Sequence, residues 1–142
     1  MKKKLGQFYY ELAVKQEMKE QENSEKQAYE LYKKAAELNH PKSLVKLGNY
    51  YEDMLTDEAL DKAIECYMKA MDLDEPLGYE SMGLLYHMGL GVHQSNIDAY
   101  KLYKIAKTPL AEMNMDLLEA FFYDEIESEV DEVRRKDRAK NE

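Results

Sequence analysis

With 142 residues, 44% of them apolar, and a formal charge of −9, the chain holds enough apolar material for a core and too much for wholesale disorder. Its single cysteine excludes an internal disulfide and fits a reducing compartment. No apolar run approaches membrane-spanning length, and none follows Met1-Lys2-Lys3-Lys4 as a secretion signal would, so the expectation is a cytoplasmic protein that meets no membrane.

Taken in chain order, the apolar spacing predicts helices in pairs within a single domain over 1–142. Residues 5–39 form a degenerate first repeat. Tyr9, Leu12 and Ala13 share a face of its first helix, and Ser24 with Gln27 reads as a capping box for a second helix over 25–39. Residues 41–74 form the next repeat. Pro41 suits a first helical turn. Leu44, Leu47, Gly48 and Tyr51 share one face, and Thr56 or Asp57 caps a partner helix carrying Ala59, Ala63, Tyr67, Ala70 and Met71.

Residues 76–108 follow the same logic with Tyr79, Met82, Gly83 and Tyr86, a break at Gly89-Leu90-Gly91-Val92, a cap at Ser95, and a stripe of Ala99, Leu102, Tyr103 and Ala106. Pro109 ends that helix. Residues 110–139 read as one long terminal capping helix with a basic tail. Its stripe runs Met115, Leu118, Phe122, Ile126, Val130 and Val133, with no second helix after it. Leu117 and Phe121 are expected inside a wide buried face, the alternative being packing by Leu118, Phe122 and Ile126 only, which leaves them as an exposed patch for a dimer contact.

The pattern has a period. Ala28, Tyr32, Ala35, Pro41, Gly48 and Tyr51 return 35 residues later as Ala63, Tyr67, Ala70, Pro76, Gly83 and Tyr86. Ala99, Tyr103 and Ala106 follow after 36 more. Such a period means stacked helical units. The predicted fold is therefore an all-α, right-handed α-solenoid of antiparallel helix pairs, about 3.5 repeats and seven main helices. Tyr32, Tyr67 and Tyr103 are core by recurrence, while Tyr29, Tyr50 and Tyr100 stand where they can reach the surface.

Charge is uneven along the chain. Residues 1–110 carry a net −3, residues 111–133 hold nine acids and no Lys or Arg, and residues 134–142 carry +3. Over a single helix those nine acids would span roughly 30 Å at ~1.5 Å per residue, a density near the ~3.4 Å per phosphate of one DNA strand. Asp124, Glu125, Glu127, Glu129 and Asp131 are thus candidates for docking a basic protein or for nucleic-acid mimicry. The structural reading of the same residues is a solvated helix with favourable Asp131–Arg135 and Glu132–Lys136 spacings. Direct nucleic-acid binding is not expected, because the bases are few. No catalytic residue, metal site or cofactor is predicted: His40, His87 and His93 lack ligand spacing with Cys66, and a capping loop accounts for His93, Ser95 and Asp98.

The run from Gly83 to Gln94, with Ala99, Tyr103 and Ala106 after it, resembles the Sel-one-like repeat, a branch of the tetratricopeptide-like α-solenoids. Ala28, Tyr32, Ala35 and Ala36 match the second half of that unit, and Asn39-His40-Pro41 resembles its joint. Gly48 precedes Ala63 by 15 residues and Gly83 precedes Ala99 by 16, a longer loop than the ordinary tetratricopeptide has. The resemblance implies a non-enzymatic adaptor or scaffold whose first helices line a concave groove. That carries Tyr10, Val14, Glu17, Lys42, Val45, Asn49, Glu52, Glu80, Leu84 and His87 onto the groove as contacts for a partner peptide or helix. The alternative is a small acidic inhibitor, an immunity protein or phage-encoded antagonist, working through the acidic helix. The partner is a protein; its identity and the oligomeric state stay open.

Overall fold

The computed structural model describes residues 1–141. Among them all regular structure is helical: α1 (Lys2–Glu17), α2 (Ser24–Glu37), α3 (Pro41–Asp53), α4 (Asp57–Asp72), α5 (Pro76–Met88), α6 (Asn96–Ala106) and α7 (Pro109–Lys140). The seven helices and the all-α class are those the spacing predicts. The chain gathers into two compact units, Met1–Gly78 and Tyr79–Glu142, divided within α5.

In the first unit α1 packs on α2, α2 on α3, and α3 on α4. Local chemistry sets where these helices start and stop. The Thr56 hydroxyl accepts from the Ala59 N–H at 3.1 Å and caps α4. Pro41 occupies the first turn of α3, where a missing N–H costs nothing, and His40 is the cap before it. Ser24 does not cap α2. That cap is Asn23, in the left-handed region, while the Ser24 hydroxyl donates to the carbonyls of Lys19 (2.6 Å) and Gln21 (2.8 Å), tying down the α1–α2 turn instead. The ends of α2 and α4 are copies of each other. Asn39 and Asp74, 35 residues apart, both adopt positive φ (59° and 56°), and the N–H groups of the residues after them, His40 and Glu75, reach back to Ala35 O and Ala70 O. Asn and Asp are the side-chain-bearing residues that tolerate this conformation best.

The α3–α4 contact is set by one close approach. A Cβ on Gly48 would stand 2.5 Å from Cε1 of the Tyr67 ring, so the glycine is the space the ring occupies. The second unit repeats the arrangement: a Cβ on Gly83 would stand 2.5 Å from Cε1 of Tyr103. The first repeat differs, because Ala13 holds the corresponding place and is itself buried with Ala28 and Tyr32. Tyr32, Tyr67 and Tyr103 are fully buried, as recurrence predicts. Tyr100, expected to reach the surface, is fully buried too, because α7 covers it.

The terminal helix departs from expectation. Its backbone is non-helical at Phe122 (φ −134°, ψ 29°), which divides it into a first arm, 109–121, and a second arm, 123–140. Along the first arm the partners on α6 run backwards: Tyr100 lies far from the α6–α7 turn and donates to Glu119 at 2.7 Å. Along the second arm they run forwards, from Asn96 with Glu125 (2.9 Å) to Lys104 with Glu129 (2.7 Å) and Glu132 (3.6 Å). The two arms therefore cross α6 in opposite senses, and the second arm is a return helix where the spacing predicts one continuous helix. Leu118, Ile126 and Val130 are buried against α6, as their spacing predicts. Phe122 is not part of that stripe: it sits at the break and is exposed, and Leu117 and Phe121 are exposed beside it. Pro109 does not end α6, which stops at Ala106 with Lys107 in the left-handed region; Pro109 opens α7, capped by the Thr108 hydroxyl.

Candidate functional site

The side chains carried onto the groove are mostly engaged by their own unit, and the engagement follows the repeat. Glu17, Glu52 and His87 are spaced 35 residues apart, and each meets a repeat tyrosine. The Tyr32 hydroxyl donates to Glu17 Oε2 at 2.6 Å. That of Tyr67 donates to Asn49 Oδ1 at 2.8 Å and more distantly to Glu52 Oε1 at 3.4 Å. His87 Nδ1 lies 3.2 Å from the Tyr103 hydroxyl. A buried phenol needs a partner for its hydroxyl, and this position of the first helix supplies it in each repeat. The sequence carries the signal as the matched periods of Glu17/Glu52/His87 and Tyr32/Tyr67/Tyr103, legible only when the two series are set side by side. Burial, then these carboxylates, push the Tyr32 and Tyr67 phenols far above their ordinary range. Burial likewise raises the Glu52 carboxyl, against the pull of the Tyr67 hydrogen bond.

The other carried-over residues divide similarly. Val45 is 4% exposed and belongs to the core, a correction to its place among the contact residues. Tyr10 stacks on the His40 ring at 4.7 Å. Val14 packs against the Ala13–Tyr32 cluster and Leu84 against the Tyr103 cluster. Glu80 accepts from the Thr108 hydroxyl at 2.6 Å. Lys42 and Asn49 are exposed.

What the first unit leaves open is a hollow of about 460 Å³ lined by Glu17, Ser24, Glu25, Lys46, Asn49, Tyr50 and Asp53. Its one base is already committed: Lys46 Nζ lies 3.6 Å from Glu17 Oε2 and 5.8 Å from the centroid of the Tyr32 ring. Glu25 and Asp53 are exposed acids on its wall. Burial raises the Tyr50 phenol first, helped by Glu17, Glu25 and Asp53, so it stays neutral. A second, more apolar recess of about 270 Å³ shares Glu25 and Tyr50 and adds Lys26, Tyr29 and Met54. Tyr29 and Tyr50 meet edge-on at 5.2 Å.

In the second unit the acidic row is not one straight line. The break at Phe122 interrupts it, and several of its acids serve the fold. Glu129, paired with Lys104 and lying 3.9 Å from Lys101, is largely withdrawn from solvent. Glu125 accepts from Asn96, Glu119 from Tyr100, and Glu132 pairs with Lys136 at 2.7 Å. Arg135 donates to the Asp131 backbone carbonyl rather than its carboxylate. Asp124, Glu127 and Asp131 remain exposed. Cys66 is buried in α4, and burial pushes its thiol up to about 11, away from the thiolate that nucleophilic chemistry needs.

No family model matches the chain. Its helices are similar to the crystal structure of a protective antigen present in uropathogenic Escherichia coli strains and displaying an SLR (Sel-one-like repeat) fold. The TM-score is 0.71 at 23% identity, over 84% of this chain and 26% of the other. The chain has the Sel-one-like repeat fold, an all-α solenoid. It spans about a quarter of the length of that structure. Within the Sel-one-like repeat the Gly48–Tyr67 and Gly83–Tyr103 approaches explain why glycine and tyrosine recur at those places. The fold also accounts for the joint at Asn39-His40-Pro41, whose three residues supply a left-handed turn, a side-chain cap and a preset first turn in succession. No helix among the described residues is long and apolar enough to cross a membrane.

Proposed function

We propose that this protein is a non-catalytic interaction module that takes a basic segment of a partner protein into the hollow of its first unit. The observation that carries this reading is the charge of that hollow: three acids, Glu17, Glu25 and Asp53, surround it, and its single base, Lys46, is held against Glu17 and the Tyr32 ring. A Lys or Arg side chain entering there meets the exposed Glu25 and Asp53 carboxylates. The adjoining recess of Tyr29, Tyr50 and Met54 receives an apolar neighbour of that side chain. The helices around the hollow are fixed by the tyrosine tethers, so little ordering entropy is lost on binding. The Sel-one-like repeat fold is commonly a protein-interaction fold, in keeping with this role.

The inhibitor reading, through Asp124, Glu125, Glu127, Glu129 and Asp131, draws less support. Glu125 and Glu129 are occupied by Asn96, Lys101 and Lys104, and mimicry of a nucleic-acid strand asks for a continuous row.

An arrayed random-peptide library tests the proposal. The protein should enrich peptides with Lys or Arg beside an apolar residue, less so at high salt. The double variant Glu25→Lys/Asp53→Lys should lose that preference while keeping its helical circular-dichroism spectrum. No enrichment, or enrichment that survives the charge reversal, overturns it.

A further inference from the structure

Each unit exposes one apolar helix stripe, and the two stripes carry opposite charge. On α1, Leu5 and Phe8 are exposed, Phe8 at 52%, beside half-buried Leu12. On the first arm of α7, Leu110, Met113, Leu117 and Phe121 are exposed, Phe121 at 75%. Both stripes follow helical spacing, and their first three members share the same steps of three and four residues, 5-8-12 and 110-113-117. The α7 stripe runs for about 16 Å at ~1.5 Å per residue. A contiguous exposed apolar stripe rimmed by charge marks a docking surface.

The charges name the occupant. Residues 2–12, which span the α1 stripe, carry Lys2, Lys3 and Lys4 against the single acid Glu11, whereas residues 109–121 carry Glu112, Asp116 and Glu119 and no base, with Glu119 held by the Tyr100 hydroxyl. Pairing either stripe with its own copy leaves a net excess of one sign, Lys on α1 and acid on the first arm of α7. Pairing α1 of one chain with the first arm of α7 of another joins apolar to apolar and Lys to Glu and Asp. We propose that copies of this chain associate head-to-tail, with the Leu5/Phe8 stripe of one seated on the Leu110/Met113/Leu117/Phe121 stripe of the next. The two surfaces differ, so the contact is heterologous and every added copy leaves another stripe open.

Sedimentation velocity over a concentration series tests this on the full chain. The average mass of the wild-type protein should rise with concentration and fall back in high salt. Phe8→Ser and Phe121→Ser change exposed residues, and each should give a monomer, since each chain keeps one stripe and loses its complement. Mixed in equal amounts, the two variants should form a species of twice the monomer mass and no larger, because only one productive pairing remains. A wild-type protein that stays monomeric throughout overturns the proposal. So does self-association of either single variant, which would mean a like-with-like interface.

Discussion

In the α3–α4 pair a tyrosine ring lies where a glycine leaves room for it, and a loop from Met54 to Thr56 lets the second helix turn back with its own cap. In α7 the residue 36 positions after Gly83 is Glu119. The loop has shrunk to a single non-helical residue, and Leu118, Ile126 and Val130 fill the space against α6. The contrast shows what the repeat consensus is for. Glycine and tyrosine together set the distance between two helices joined by a capped loop; where the chain reverses at one residue, branched aliphatics suffice and the acid that replaces glycine instead accepts from Tyr100.

Substituting the glycine bears hardest on that contrast. Gly48→Ala drives a methyl into the Tyr67 ring at 2.5 Å, and the ring cannot swing freely because its hydroxyl is held by Asn49 and Glu52. Overpacking of this kind costs about 1–3 kcal/mol, and Gly83→Ala should cost the same for the same reason. Gly6→Ala meets the His40 Cβ at an ordinary 3.4 Å, so it should be neutral or should gain up to about 1 kcal/mol from helix propensity. Urea denaturation of the three variants separates the cases; equal losses would show that the close approach to tyrosine has no special role.

Next in size is loss of the tyrosine hydroxyls. Tyr32→Phe removes a 2.6 Å bond to a carboxylate, a class worth about 1.5–3 kcal/mol before discounting for the partial exposure of Glu17, so about 1 kcal/mol is expected. Tyr103→Phe removes a 3.2 Å contact with His87 and a hydrogen bond with Asn114, neither of them to a carboxylate, and about 0.5–1 kcal/mol is expected. A larger loss at Tyr103 than at Tyr32 in the same denaturation assay would break the assignment of Glu17 as a tether.

The repeat, most helix boundaries and the buried Tyr32, Tyr67 and Tyr103 were legible because each rests on a local, periodic signal: apolar spacing, Pro41 in a first turn, Thr56 and Ser95 as caps. The break at Phe122 was not, because no Gly or Pro marks it and apolar spacing continues through it. Its cause is tertiary, since Ile126 and Val130 reach α6 only if the chain reverses. The groove residues were placed by family resemblance, which gives the helix but not the rotation of each side chain. Val45 therefore proved to be core, and Glu17, Glu52 and His87 proved to serve the tyrosines.

The joint between α2 and α3 offers the finest test, because one ring links three elements. His40 Nδ1 accepts from the Ser43 N–H at 3.2 Å and lies 2.9 Å from the Ser43 hydroxyl, while Nε2 lies 2.8 Å from Gln7 Oε1. An acceptor at Nδ1 and a donor at Nε2 describe the neutral ring. Burial, with help from Lys42, holds its pKa below the usual 6.5. As pH falls through and below 6.5 the unfolded chain therefore binds this proton before the folded one does, and stability drops; above that value the contribution is complete. His40→Asn keeps a side-chain acceptor able to cap α3 and removes the titration. Urea midpoints at pH 5.5 and 7.5 should thus differ more for the wild-type protein than for the variant, and the other titrating groups cancel in the comparison. Equal differences would mean that the ring stays neutral in neither state preferentially, and that the cap, rather than its protonation, is all that His40 contributes to this turn.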